Sequence, residues 1–377
     1  MDHSRNEKIG LAGQSLLRKP RILLAPLDWG LGHATRCIPL IRSLLKAGTE
    51  VWIAAEGMQQ ALLKEEFPEL SFLPLKGYRV RYARSGAGLF TRMLLQAPMI
   101  LKNIRKENEW LKEVVKENEF DAVISDNRYG LYHKDLPCIF ITHQLHIKSP
   151  SGSWLDRLLR KRNYKYINRF TECWVPDMPG ENNLAGELSH PFKKPAIPLH
   201  YIGWLSRFET FGATEKNSHL LVVLSGPEPQ RSIFENKVIH EVSHYPGTAT
   251  VVRGLPGSSS ILPSTSMIRF YNHLTAAELN KEMAMAEFVI SRSGYSTVMD
   301  LVTLGKKSIL VPTPGQTEQI YLGAYLHERK IAMAVPQNQF LLQTSLDKAR
   351  SFQYKIPEYS EPFLLEKTVT DFIRSLK

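Results

Sequence analysis

The sequence contains few cysteines and no long apolar segment, and both absences limit what the protein can be. The three cysteines, Cys37, Cys138 and Cys173, are scattered along the 377 residues, which argues against disulfide bonds and against a structural zinc site. No stretch approaches the roughly 20 apolar residues of a transmembrane helix, and the polar N-terminus lacks the apolar core of a signal peptide. We therefore expect a cytoplasmic protein whose residues 1–19 form a flexible tail.

The chain also lacks the signatures of a nucleic-acid-binding module, although its net charge is +11. An excess of positive charge favours other anionic partners, such as nucleotide phosphates or an anionic membrane. Basic and apolar residues are interleaved in segments 76–106 and 157–169, and this mixture is typical of surfaces that lie on a bilayer. Ordinary solvated surfaces can have the same composition. Contact with the inner face of the plasma membrane is therefore a hypothesis, and nucleic acid is not an expected partner.

Short apolar strands alternate with helical patterns, which is typical of parallel α/β sheets. The predicted strands are 22–26, 51–55, 71–75, 121–125, 138–142, 220–225, 248–252, 267–271, 288–291 and 308–312. The predicted helices are 35–47, 59–66, 99–116, 233–243, 275–286, 297–304, 318–328 and 361–377.

The pattern stops at a proline-rich stretch, 190–200, and then starts again. We therefore predict two Rossmann-like domains that face a central cleft, one over residues 20–203 and one over 204–355. Residues 356–377 form a last helix that could pack back on the first domain. Ligands bind at the carboxyl ends of parallel strands, so the cleft is the expected site.

The richest group of candidate binding residues lies between Ile290 and Gln319. Ser293 and Gly294 follow a strand and begin a helix, where free N–H groups can bind a phosphate. Asp300, on that helix, could accept two hydrogen bonds from a ribose diol. Glu318 and Gln319 follow the next strand and could bind sugar hydroxyls. The alternative is that the Ser-Gly pair, taken by itself, only forms a tight turn between strand and helix.

This region resembles the GT-B glycosyltransferases of family 28. The segment Arg292-Ser293-Gly294, the acidic residue at 300, the Val-Pro pair at 311–312 and the glutamine at 319 are similar to the family pattern. Gly203–Arg207 resembles its inter-domain G-x-x-x-R motif, and 225–231 resembles its glycine-rich loop, although prolines replace some glycines. The resemblance is strong over 248–335, moderate over 20–55 and 120–145, and thin elsewhere.

The resemblance implies an α/β GT-B fold and an inverting transfer from a UDP-sugar donor to a glycan or lipid-linked acceptor. N-acetylglucosamine is one candidate sugar. The resemblance implies phosphate contacts from Arg207, Ser225, Gly226, Ser293 and Gly294. The backbone groups of Tyr271 and Asn272 are candidates for the uracil edge. No D-x-D motif occurs near the cleft, so we expect neither a metal nor another cofactor; helix N-termini and Arg207 would stabilise the leaving diphosphate.

The stretch LDWGLGHATR, residues 27–36, resembles the N-domain loop of the same enzymes. Gly30 and Gly32 would let this loop approach the acceptor and the donor diphosphate. A helix N-terminus lowers the pKa of a histidine, so His33 would be neutral and could accept a proton from an attacking hydroxyl. The alternative is a histidine that only bonds a backbone group.

Four further residues follow the strands of the first half. Asp126 could orient the acceptor or act as the base itself, and an Asx turn explains it equally well. Arg128 could bind an acceptor phosphate. His143 and Gln144 are a partial match to a short H-E-Q-N-like segment of the family and are candidates for the acceptor side.

Three rival functions stay open at this stage. The stretch GLGHATRC also resembles the loop of UDP-sugar hydrolases of pseudaminic acid synthesis, in which the histidine activates water. A nicotinamide dehydrogenase would explain Gly30 and Gly32, with Glu56 one strand later, but Thr35 replaces the third glycine of its fingerprint. A non-catalytic nucleotide-sugar binder would need no base. The basic and apolar segment 76–106 favours a transferase, because a hydrolase needs no acceptor surface.

Overall fold

The computed structural model describes residues 18–79, 89–149, 152–210, 215–359 and 363–376. Residues 1–17, which form most of the predicted tail, lie outside the described residues. The same holds for Arg81 and Arg84 of the basic segment, and for the side chain of Arg92. In the described part of the chain, no helix is both long and apolar enough to cross a membrane.

The first half forms a parallel sheet of seven strands in the order β3-β2-β1-β4-β5-β6-β7. The strands are β1 (Arg21–Pro26), β2 (Glu50–Ala55), β3 (Ser71–Pro74), β4 (Ala122–Asp126), β5 (Cys138–Ile141), β6 (Glu172–Val175) and β7 (Leu199–Tyr201). The helices are α1 (Leu31–Lys46), α2 (Gly57–Glu66), α3 (Leu89–Asn118) and α4 (Ser153–Ile167).

The second half forms a parallel sheet of six strands in the order β10-β9-β8-β11-β12-β13. The strands are β8 (His219–Val223), β9 (Thr248–Val252), β10 (Ile268–Tyr271), β11 (Phe288–Ser291), β12 (Ser308–Leu310) and β13 (Met333–Ala334). The helices are α5 (Gln230–Val242), α6 (Ala276–Met285), α7 (Tyr295–Thr303), α8 (Thr317–Glu328), α9 (Leu342–Ser351) and α10 (Leu364–Ser375).

The central strands are apolar on both faces because helices cover both faces of each sheet. In β1, Ile22 packs in one core cluster and Leu23 in another. The strand order reverses between β1 and β4 and again between β8 and β11. Such reversal points open a crevice at the carboxyl ends of the strands. The loops that follow these four strands contain the candidate residues Gly30, Arg128, Ser225, Gly226, Ser293 and Gly294.

The two halves are joined by contacts of α1. It packs against α7 and against the terminal helix α10. The hydroxyl of Ser296 donates a hydrogen bond of 2.9 Å to the carbonyl of Gly32, and a Cβ at position 32 would lie 2.9 Å from Ser296 Oγ. The glycine therefore permits close approach of the two halves, a role that the sequence analysis did not assign to it. Phe372 of α10 packs edge-on against Trp174.

Several elements were not predicted. The structure adds α4, β6 and β7 to the first half and β13 and α9 to the second. The added strands have two to four residues, which is too short for an apolar pattern to stand out. Helix α4 is strongly basic and exposes much of its surface, so it lacks the apolar stripe by which a buried helix is recognised.

Candidate active site

The glycine-containing loop before α1 is held in place by Asp28. The carboxylate of Asp28 accepts hydrogen bonds from the backbone N–H groups of Tyr78 at 2.9 Å and Arg79 at 3.0 Å. Gly30 precedes α1 with a φ of +93°, a conformation that side chains other than glycine rarely adopt. The turn brings His33 into the first turn of α1, directly above the carboxyl end of β4.

His33 contacts Asp126, the last residue of β4. Its Nδ1 lies 3.0 Å from Asp126 Oδ2, and an Nδ1–H that donates to this carboxylate leaves Nε2 with the free lone pair. Burial lowers the pKa of His33, the positive charge of Arg36 lowers it further, and Asp126 acts in the opposite direction. The net effect is a neutral imidazole at pH 7, which can accept a proton.

Asp126 is fully buried and forms an ion pair with Arg36. Arg36 Nε lies 2.9 Å from Asp126 Oδ2 and 3.1 Å from Oδ1. Burial would raise the pKa of this carboxyl group, but Arg36 and His33 outweigh burial and lower it to about 2. A carboxylate with such a low pKa, shielded from solvent, is a poor proton acceptor. The structure therefore disfavours Asp126 as the base and places it behind His33.

His143 and Gln144, which follow β5, reach across the cleft to Glu318 at the start of α8. His143 Nε2 lies 2.8 Å from Glu318 Oε1, and the amide of Gln144 donates to Oε2. The ring of His143 stacks on Tyr295 of α7, with 4.2 Å between centroids. Burial would raise the pKa of Glu318, but the hydrogen bond and charge of His143 and the charges of His33 and Arg36 together outweigh burial and lower it. The two residues predicted for the acceptor side thus contact a residue predicted for the sugar.

Ser293, Gly294 and Gln319 lie where β11 and β12 meet α7 and α8. Gly294 is the residue that precedes α7, as the sequence predicts. The hydroxyl of Ser293 donates to the carbonyl of Gln319 at 2.7 Å, and Gln319 Oε1 accepts from the N–H of Thr313 at 2.8 Å. These bonds tie the Ser-Gly turn to the next loop, so both side chains have a structural contact in addition to any ligand contact.

Asp300 and Arg207 lie together at the link between the halves. The hydroxyl of Ser206 donates to Asp300 Oδ1 at 2.7 Å, and burial raises the pKa of Asp300 to about 6 despite the nearby charge of Arg207. Within the described residues, Arg207 Nε is buried without a hydrogen-bond partner. Ser225 and Gly226 follow β8 and are exposed.

The predicted contact of Arg128 needs correction. Arg128 is buried and pairs with Glu107, and it also donates to the carbonyls of Pro26 and Lys76. Its guanidinium therefore stabilises the interior of the first half and does not face an acceptor phosphate.

The backbone carbonyls of Tyr271 and Asn272 accept hydrogen bonds from the N–H groups of Arg253 and Leu255, each at 2.8 Å. The side chain of Asn272 contacts Arg253 and Ser258 as well. These contacts hold the loop after β9 and use one acceptor position of each carbonyl, so a contact of the two backbones with the uracil edge stays a prediction.

Three residues of the site were missed by sequence reasoning: Arg36, Tyr295 and Ser296. Arg36 follows His33 by three positions on one helix face, and that spacing could have revealed it. Tyr295 and Ser296 gave no signal, because their roles depend on how the two halves pack. The hydroxyl of Tyr295 donates to the carbonyl of Pro176 in the other half at 2.8 Å.

Residues 250–368 match the sequence profile described as glycosyltransferase family 28 C-terminal domain. The chain is also 24% identical over 333 residues to the UDP-N-acetylglucosamine--N-acetylmuramyl-(pentapeptide) pyrophosphoryl-undecaprenol N-acetylglucosamine transferase of Actinobacillus pleuropneumoniae serotype 5b (strain L20). That alignment covers 84% of this chain and 85% of the relative.

Solved structures with the same architecture include the glycotransferase of kitacinnamycin, at a TM-score of 0.64 and 13% identity, covering 95% of this chain and 96% of that one. Another is the spinosyn rhamnosyltransferase SpnG in complex with thymidine diphosphate, at a TM-score of 0.60 and 15% identity, covering 94% and 96%. At such low identity these likenesses show the fold alone, which is GT-B.

Proposed function

From the premise that this chain is a glycosyltransferase whose residues 250–368 form a family 28 C-terminal domain, we propose that it transfers a sugar from a UDP-sugar to a lipid-linked acceptor, with inversion. The A. pleuropneumoniae relative is named for UDP-N-acetylglucosamine and for an acceptor on pyrophosphoryl-undecaprenol. N-acetylglucosamine is accordingly the first donor sugar to test. The acceptor class is an undecaprenyl-linked saccharide.

The observation that carries this proposal is the pair His33–Asp126 on one wall of the cleft, opposite the Ser293-Gly294 turn and Glu318. Asp126 holds His33 Nδ1 at 3.0 Å, so Nε2 can accept the proton of an acceptor hydroxyl as that oxygen attacks the sugar carbon. The bond from that carbon to the diphosphate breaks on the opposite side, and the configuration inverts. Water in place of the acceptor hydroxyl would give hydrolysis.

The donor would lie along the second half. As the bond breaks, negative charge grows on the diphosphate, and N–H groups at the start of α7 and the loop of Ser225 and Gly226 would stabilise it. Arg207 would also contact the diphosphate, because its buried Nε has no hydrogen-bond partner among the described residues. Asp300 would bind the ribose diol, and Glu318 the sugar hydroxyls.

The acceptor would reach His33 along the outer side of the first half. Ile100 and Leu101 of α3 and Tyr166 of α4 share one apolar cluster with Trp29, so both helices lie beside the His33 loop. Helix α3 exposes Leu95 and Met99 in the same region.

Helix α4 carries the features of a bilayer-facing surface. Trp154 and Leu158, four residues apart, are 66% and 54% exposed, and Arg157, Lys161 and Lys165 are exposed beside them. Apolar and basic side chains on one helix face suit an anionic bilayer. These features support a peripheral position on the inner face of the plasma membrane, where a lipid-linked acceptor would be found.

The test combines binding with turnover. UDP and UDP-N-acetylglucosamine should raise the melting temperature more than NADH does, because a ligand that binds only the native state stabilises it. Transfer of labelled sugar should then require an undecaprenyl-linked acceptor presented in vesicles. Stabilisation by NADH and not by uridine nucleotides would refute the proposal. Rapid release of free sugar without acceptor would favour the hydrolase.

A further inference from the structure

Arg36 is a buried arginine of α1 to which the proposed reaction assigns no role. Its side chain is 2% exposed, yet its nitrogens contact three titratable residues of the cleft. Nε and NH2 donate to Asp126, NH1 lies 3.2 Å from His143 Nδ1, and NH2 lies 2.9 Å from His33 Nδ1. One guanidinium thus connects the His33–Asp126 pair to the residue that bridges the cleft.

The contact with Arg36 fixes the tautomer of His143. A guanidinium can only donate hydrogen bonds, so His143 Nδ1 must be the acceptor. A neutral His143 therefore carries its proton on Nε2, and this N–H donates to Glu318 Oε1 at 2.8 Å. Without Arg36 the ring could adopt either tautomer, and only one of them gives this bond to Glu318.

Arg36 acts on His33 in a different way. His33 Nδ1 has Asp126 Oδ2 at 3.0 Å and Arg36 NH2 at 2.9 Å, and Arg36 already donates to the same carboxylate. The two contacts require opposite tautomers, because a carboxylate only accepts hydrogen bonds and a guanidinium only donates them. We assign the proton to Nδ1, because a lone pair there would face the negative charge of Asp126, while Arg36 NH2 keeps its bond to Asp126 Oδ1. The fixed positive charge beside the ring then opposes a second proton on Nε2, which keeps His33 in the form that a general base requires.

The groups that face His33 come from every element packed around it. They are Arg36 on α1, Asp126 at the end of β4, His143 after β5 and Glu318 on α8. Cys37 of α1 contacts Asp126 instead, with 3.7 Å between Sγ and Oδ2. Asp126 favours a protonated His33 and Arg36 opposes it. Burial is the largest cause that lowers the pKa of His33, and Arg36 and Asp126 then shift this pKa in opposite directions.

We propose that Arg36 is a positioning residue that sets the proton positions of both cleft histidines: it keeps Nε2 of His33 free as the base, and it fixes His143 as the donor to Glu318. The inference deepens the proposed function, because the free Nε2 matters only if His33 accepts a proton. The tautomers and pKa values can nevertheless be measured without any substrate.

The test is NMR of the full chain with ¹⁵N- and ¹³C-labelled histidine, in the wild type and in Arg36→Lys, Arg36→Met and Asp126→Asn. The signals of His33 and His143 are assigned from His33→Gln and His143→Gln. Wild-type His33 should be the Nδ1–H tautomer and wild-type His143 the Nε2–H tautomer. Arg36→Met should raise the pKa of His33 by about one to three units, the range for a charge within a few ångströms, and Asp126→Asn should lower it.

Arg36→Lys separates charge from geometry. Lysine retains the positive charge, so the pKa of His33 should stay near the wild-type value. One ammonium group cannot span Asp126 and His143 Nδ1 as a planar guanidinium does, so His143 should become a mixture of tautomers. A role limited to filling space would predict no such split between the two histidines.

The proposal is overturned if wild-type His33 carries its proton on Nε2, or if folded Arg36→Met leaves its pKa unchanged. Arg36→Met leaves Asp126 buried without its partner, so the double variant Arg36→Met/Asp126→Asn is the version to use if the single variant does not fold. The pKa of His33 in the double variant is then compared with that in Asp126→Asn, and it should be higher in the double variant. Because no donor or acceptor enters these spectra, failure of the transferase assay would leave the result intact.

Discussion

Replacement of His33 by alanine removes the proposed base and leaves the rest of the cleft in place. Asp126 keeps its ion pair with Arg36 in the variant, so no buried charge loses its only partner. The lost contact is one hydrogen bond to a charged group, whose contribution to the free energy of unfolding is about 1.5–3 kcal/mol. The side chain of His33 is partly exposed, so we expect a folded variant with a modest loss of stability.

The chemical step of His33→Ala should slow by about 10²- to 10⁴-fold, the usual contribution of a general base. This corresponds to about 2.7–5.5 kcal/mol in the activation barrier. The Kd for the donor should change little, because the residues proposed to bind it belong to the second half and its link. Kinetics and binding thus respond differently to one substitution.

Single-turnover transfer from UDP-N-acetylglucosamine measures the chemical step, and calorimetry with UDP measures donor affinity. His200→Ala is the matched control. It removes a histidine that also contacts a carboxylate, with 3.5 Å between His200 Nε2 and Glu172, but in β7 and outside the cleft. The control should transfer at the wild-type rate. A wild-type rate in His33→Ala would show that His33 only stabilises its helix, and an equal loss in donor affinity would make it a binding residue.

Three further predictions concern the donor, the leaving group and the membrane. Burial raises the pKa of Asp300 to about 6, so its carboxyl group becomes protonated below that pH and UDP should bind more weakly at pH 5 than at pH 7.5. Calorimetry of Asp300→Asn is the control, and the same pH dependence of UDP affinity in this variant as in the wild type would contradict the prediction. Transfer should continue in EDTA, since Arg207 and helix N-termini are proposed to match the diphosphate charge, and activity that returned only with magnesium or manganese would refute it. Trp154→Ser should reduce co-sedimentation with phosphatidylglycerol vesicles. The control Phe363→Ser removes another exposed aromatic residue, just before α10, and should not reduce it. Equal binding by both variants and the wild type would exclude α4 as the membrane-binding surface.

The alternation of strands and helices predicts the parallel α/β class of the fold, but it does not predict the strand order. Long apolar strands such as β1 and β4 are evident because helices cover both of their faces. The start of α1 was predicted at residue 35, whereas the helix begins at Leu31. The glycines at 30 and 32 caused this error, since glycine weakens a helical pattern. Here Gly32 lies inside the helix because α7 requires a close approach.

The candidate site was predictable where its parts are local in sequence. The Ser293-Gly294 turn needs only a strand followed by a helix, and His33 needs only its position in the first helical turn. The partners of these residues are not local: 93 positions separate His33 from Asp126, and 175 separate His143 from Glu318. No periodicity connects residues so far apart, so their pairing depends on the packing of the two halves.

The contact between His143 and Glu318 has a consequence for donor binding. A carboxylate offers about four acceptor positions, and His143 and Gln144 use two of those of Glu318. If Glu318 binds the sugar as proposed, hydroxyl groups can therefore join it without breaking the contacts across the cleft. A sugar held between Glu318 and the first half adds hydrogen bonds that only the closed arrangement permits, so donor binding favours closure. In the proposed reaction, closure around the donor would bring Nε2 of His33 towards the reacting carbon.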